Sequence, residues 1–147
     1  MRLWNLTYND PGRWAEVHAI SGKPLGFWAS LRSGGTGSPR AELVGGSGEV
    51  AELVGVESAR TACNFERTAG GAILYFRSRL EVYGAPLRLG DVSGITRVPE
   101  GSHDRLTLWC GWTDAAGETA SGSVEMRCAR NTADRLEAYI RRWLYSS

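Results

Sequence analysis

The stretch 72-AILYFRSRLEVYG-84 alternates its side chains for thirteen residues with no proline to interrupt it. A period of two sends successive side chains to opposite faces of an extended chain. Leu74, Phe76, Ser78, Leu80 and Val82 then share one face, and Ile73, Tyr75, Arg77, Arg79, Glu81 and Tyr83 the other. A strand of that length belongs in a curved sheet or a barrel, and its second face is aromatic and cationic. Planar guanidinium donors suited to carboxylates or phosphates stand there beside tyrosines that can stack. The competing reading is a solvated face on which long arginine stems lie along the sheet.

The segments on either side extend the same pattern. Gly70 and Gly71 separate this stretch from RTACNFER (60–67), which makes a hairpin of the two. PLRLGDV (86–92) and SGITRVP (93–99) are shorter, with Gly90 and Gly94 where a strand bends or bulges, so they turn a corner. DRLTLWCGWTD (104–114) and ASGSVEMRC (120–128) alternate most cleanly and pair around TDAAGE. That pairing sets Cys110 against Gly122 or Val124 and Cys128 near Leu106, too far apart along the strands for a disulfide.

Upstream, AELVGGSGEV (41–50) is echoed by AELVGVESAR (51–60), which reads as two strands joined at GGSG. RLWNLTY (2–8) and RWAEVHAI (13–20) flank Asn-Asp-Pro-Gly and read as a first hairpin, and LGFWASLR (25–32) as a third strand ahead of the glycine-rich SGGTGSP (33–39). The one convincing helix is NTADRLEAYIRRWLYSS, about 131–145. Asn131 or Thr132 serves as its cap, Asp134 and Arg141 with Arg142 complement its dipole, and Leu136, Tyr139, Ile140, Trp143 and Leu144 form one apolar stripe.

The fold expected is mainly β: an antiparallel meander rolled into a barrel or strongly bent sheet, PH-like or calycin-like, capped by that helix. A 147-residue chain with 42% apolar and 22% charged residues fits a single globular domain spanning 1–147. A net charge of +1 gives no field to draw in nucleic acid or an anionic membrane. No apolar run reaches signal-peptide or membrane-spanning length, and three sparse cysteines, Cys63, Cys110 and Cys128, read as reduced thiols, so a cytoplasmic protein is expected. The sixteen arginines against one lysine fit a GC-rich bacterial genome and carry no functional weight.

Gly12, Arg13 and Trp14 resemble the G-x-W signature of lipocalins, in which the tryptophan closes one barrel end. Thr113 and Asp114 stand where that family often has Thr-Asp-Tyr, with Ala115 in place of the tyrosine. The resemblance implies a calycin barrel and no more; no functional residue is carried over from it.

Neither histidine, His18 or His103, has a nucleophile or a metal-ligand set at recognisable spacing, and GGSGEV lacks the lysine and the strand-to-helix step of a phosphate loop. No catalytic residue, metal or cofactor is therefore expected. Trp109 points away from Leu108 and Cys110, toward the Thr107 side, which fits an interface or ligand platform and equally a ring covered by the C-terminal helix. The function expected is a non-enzymatic protein-binding module, adaptor- or immunity-type, working through an exposed face of Tyr75, Arg77, Arg79, Tyr83 and Trp109. The alternative is a calycin-like barrel holding a small apolar or aromatic ligand, with Trp14, Trp28, Trp112 and His18 on the wall and weak enzymatic capability through a histidine.

Overall fold

The computed structural model describes residues 2–26, 37–54, 60–113 and 119–145, and of residues 112, 113 and 119 it describes the backbone. Along the described chain run β1 (Trp4–Asn5), α1 (Pro11–Ser21), β2 (Ala41–Gly46), α2 (Glu49–Glu52), β3 (Ala62–Arg67), β4 (Gly71–Arg77), β5 (Val82–Arg88), β6 (Val92–Glu100), β7 (His103–Thr113), β8 (Thr119–Ala129) and α3 (Arg130–Trp143). All strands join one antiparallel sheet in the order β1-β5-β4-β3-β2-β8-β7-β6. The mainly antiparallel β fold with a C-terminal helix is as expected, but the sheet does not close: β1 and β6 remain its two edges.

An open sheet in this order cannot lie flat. β5 is second and β6 eighth, six spacings of ~4.8 Å or roughly 29 Å apart in a plane, whereas the link through residues 89–91 spans at most about 14 Å. The two ends must curl toward each other. The Leu3 amide donates to Glu49 at 2.6 Å, joining the β1 edge to α2, which follows a strand in the middle of the sheet. β2 and β3 are in register only at Ala41–Cys63 and Glu42–Ala62, whereas β7 and β8 pair along their whole length.

The curled sheet wraps a single apolar cluster. Phe65, Leu74, Phe76, Leu87, Leu106, Leu108 and Met126 of the strands meet Ala133, Leu136, Ile140 and Leu144 of the C-terminal segment, and all of these are fully buried. The face turned to α3 is the inner face. A second cluster lies on the outer face of β4 and β5, where Val17 of α1 packs with Trp4, Leu6, Ile73 and Tyr75. β4, with a helix on each side of it, is buried from Gly71 through Phe76.

Four local expectations are corrected. Residues 72–84 are not one strand: Ser78 and Glu81 close a tight turn, with Ser78 N donating to Glu81 O at 3.0 Å and Glu81 N to Ser78 Oγ at 3.2 Å, so the stretch is the β4–β5 hairpin. RWAEVHAI is helical, because Asp10 accepts from the amides of Gly12 (2.9 Å) and Arg13 (3.3 Å) and Pro11 occupies the first turn, a standard helix start. The echo is not a hairpin, since after β2 the chain turns at Gly48 (φ 58°) and drives Val50 into the core as α2. The last helix begins at Arg130 after Ala129, with no side-chain cap; Asn131 Oδ1 accepts instead from Thr132 N at 2.9 Å.

Other expectations hold. β3 and β4 form a hairpin across Gly70 and Gly71, the β6–β7 register shifts between Val92 and Gly94, and Cys110 lies opposite Gly122. All three cysteines are free and buried. Most of LGFWASLR, including Trp28, and the glycines of SGGTGSP before Gly37 lie outside the described residues.

Candidate binding surface

The five residues expected to form one exposed face are held in four places. Tyr75 is only 7% exposed beneath α1, and its phenol is pushed up to about 12 by burial first, then by Glu66, against the opposing pull of Arg77. Arg77 lies over the Tyr75 ring at 4.8 Å and donates from Nε to Asn64 Oδ1 at 3.4 Å. Arg79 is exposed in the β4–β5 turn. Tyr83 pairs with Phe76 and so shares its inner face; its hydroxyl donates to Glu81, the first cause of the upward shift of that phenol. Trp109 is on the outer face of β7, four strands from β4. The aromatic-arginine strand face is therefore corrected: α1 covers one part of it and the turn breaks the alternation.

Of the residues expected around an interior cavity, Trp14 and His18 lie elsewhere. Trp14 and His18 stack on α1 with ring centroids 5.5 Å apart, outside the sheet, and Gly12–Trp14 belong to a helix rather than to the strand that the lipocalin resemblance needs. Trp112 contributes backbone to β7 opposite Ala120, and its side chain, like all of Trp28, lies outside the described residues. His103 stands at the β6–β7 hairpin with Nδ1 3.0 Å from Ser102 Oγ. Burial pushes the Cys63 thiol up, and burial followed by Asp91 raises that of Cys110 to about 12, which disfavours the nucleophilic thiolate. Among the described residues no three His, Cys, Asp or Glu side chains are grouped to hold a metal, and no helix is long and apolar enough to cross a membrane.

What remains is the outer face of β6, β7 and β8, bordered by β2. Register lays it out in rows. Val98, Arg105, Arg127 and Glu42 form one; Thr96, Thr107 and Glu125 the next; Gly94, Trp109 and Ser123 the third. Trp109 is 50% exposed and Val98 56%. The indole lies against Gly94, where an added Cβ would come within 3.1 Å of Cδ1, so the glycine makes room for the ring and the sheet holds it in place. Strand pairing fixes the Trp109 backbone on both sides, and its carbonyl accepts from Ser93 Oγ at 3.2 Å.

Charges on this face are matched internally. Arg105 Nε lies 2.8 Å from Glu100 Oε1, an ion pair whose geometry falls short of a hydrogen bond, and its Nη1 is 3.6 Å from Glu125. Arg127 reaches Glu100 at 3.5 Å, and Arg60 reaches Glu42 at 3.9 Å. Such exposed pairs add little stability; their effect is a neutral surface around the indole.

The edge of the sheet is a poorer docking element than its face. Glu100 and His103 close a two-residue hairpin and so exchange hydrogen bonds, which turns the backbone of Pro99 to the free side of β6. Proline has no N–H to offer there, Arg97 brings a charge onto the inner side of the same strand, and the bulge at Gly94 interrupts the rest. Of this surface, Trp109 was legible from alternation. Arg105, Arg127, Thr107 and Val98 were missed, although one of the two expected β7–β8 registers, Cys110 against Gly122, sets Arg105 beside Arg127. Compared with protein-family models, curated proteins and solved structures, the chain matches none of them.

Proposed function

We propose that this chain is a non-enzymatic protein-binding module, adaptor- or immunity-type, that docks a protein partner on the outer face of β6, β7 and β8. The observation that carries the reading is Trp109, half exposed yet anchored over Gly94 in the interior of a sheet. Aromatic side chains on rigid backbone contribute large contact area at small entropic cost, and interface hot spots are enriched in tryptophan and arginine. Trp109, Arg105 and Arg127 are those residue types, on two rows separated by that of Thr107. The PH-like roll sealed by its last helix suits this role, since the inner face is taken up by side chains and the outer face is left for contact. A cytoplasmic setting agrees with three unpaired thiols.

The test is site-specific photocrosslinking in the native cell. A photoreactive residue at Thr107 is expected to give discrete protein adducts that vanish when Trp109→Asp is added, while the same probe at Leu80, exposed in the β4–β5 turn, gives none. Adducts at Leu80 with none at Thr107 would overturn the proposal.

A further inference from the structure

Resting on that reading of the outer face, we infer that its partner is a second copy of this chain, joined about a two-fold axis that runs across the strands through the row of Thr96, Thr107 and Glu125. A two-fold interface requires each surface to complement itself, and these rows do so. Rotation about that axis keeps β7 against β7 and reverses its direction, so a residue two positions beyond Thr107 meets the residue two positions before it. Trp109 of one copy then faces Arg105 of the other, with Arg127 beside it, which places guanidinium groups over an indole. On β6 the same operation sets exposed Val98 against Gly94, the one position in that row with no side chain, next to the partner's indole.

Charge selects this axis over its alternative. A two-fold parallel to the strands would bring Arg105 against Arg105, whereas the chosen axis opposes unlike groups at both ends of the patch. Glu125 does approach its own counterpart, but each already has Arg105 as counter-ion at 3.6 Å. With its charges paired internally the face has no bias toward a strongly acidic or basic partner, and an identical neutral face fits it.

Sedimentation of the full chain gives the first reading. A dimer is expected at micromolar concentration, and Trp109→Ala and Arg105→Ala should each weaken its Kd at least tenfold, because each removes two symmetry-related contacts. Thr107 lies on the axis and meets itself, so Thr107→Cys should be joined into a covalent dimer by a short bismaleimide. Ser102→Cys, at the hairpin tip, and the native chain with its buried cysteines should not be. This crosslink keeps the inference testable if either truncation fails to fold. A monomer at about 100 µM, or crosslinking at Ser102→Cys that equals that at Thr107→Cys, overturns the dimer. If the chain is monomeric while the Thr107 photoprobe still captures another protein, only this inference falls; if that probe captures nothing as well, the binding reading falls with it.

Discussion

Gly71 opens β4 so close to β5 that a Cβ would strike the Leu87 carbonyl and sit 2.8 Å from Arg88 Cα. Both obstacles are backbone within a fully paired hairpin and neither can swing aside. Overpacking of this kind costs about 3 kcal/mol, so Gly71→Ala should lower the melting temperature by roughly 6–12 °C in a domain of this size. Gly26→Ala, with nothing within 4 Å of the added methyl, should leave it unchanged. Equal melting temperatures for the two variants, read by calorimetry, would refute the argument. Single positions divide by what their environment depends on. The outward aim of Trp109 follows from alternation alone and could be read from the sequence. The burial of Tyr75 depends on α1, more than fifty residues earlier in the chain, and no local pattern around Tyr75 reports it.

The two AELV tetrapeptides show why element boundaries were harder to read. At 41–44 the sequence is a strand paired with β8; at 51–54 it runs from α2 into a turn, because Val50 just before it is held in the core. Identical local propensity gives two outcomes, and tertiary contact selects between them. α1 carries its start signal in Asp10 and Pro11, but Asp-Pro-Gly also suits a turn, and the turn reading put a hairpin where the helix lies. The final helix was the most legible element, yet its anchoring was not. Asp104 of β7 accepts from Arg97 Nε at 2.6 Å and Arg130 Nε at 3.2 Å, and Arg97 goes on to Asp134 at 2.7 Å, so the start of α3 is tied to the β6–β7 hairpin. Burial alone would raise the Asp104 carboxyl, but hydrogen bonds from Arg97 and Arg130 outweigh it and hold the group below its ordinary value. The unfolded chain therefore takes up this proton first, near pH 3.9. The stabilisation is complete above that pH and is lost as pH falls through the lower folded value. Asp104→Asn should consequently be less stable than the native chain at pH 7, and the gap in urea midpoint should narrow as pH falls from 5 to 3. A gap that stays constant over that range would show that the carboxylate charge is not what holds the helix.

An eight-stranded sheet whose second and eighth strands are linked through three residues owes its shape to that corner, and the corner is closed by the end of the chain. Gly90 takes φ 94° there, and the amides of Gly90 and Val92 donate to the Leu144 carbonyl at 3.0 and 3.4 Å, while Tyr145 bridges to Val92 in parallel. The bend at Gly90 and Gly94 was readable from those glycines; the open edges were not, because closure depends on whether β1 finds β6, a pairing between segments at opposite ends of the sheet. The C-terminal segment thus acts as more than an apolar cover. Ending the chain after Trp143 removes the fully buried Leu144 side chain, worth about 2 kcal/mol, and leaves two backbone donors without their acceptor at about 1 kcal/mol each. The expected loss is about 4 kcal/mol, or roughly 8–16 °C in melting temperature. Leu144→Ala separates the two contributions, because it keeps the carbonyl while emptying the same core position. Hydrogen exchange should therefore accelerate at the Gly90 and Val92 amides in the shortened chain well beyond its change in Leu144→Ala. If both amides stay protected after truncation, the corner is held by the sheet itself and the last residues contribute packing alone.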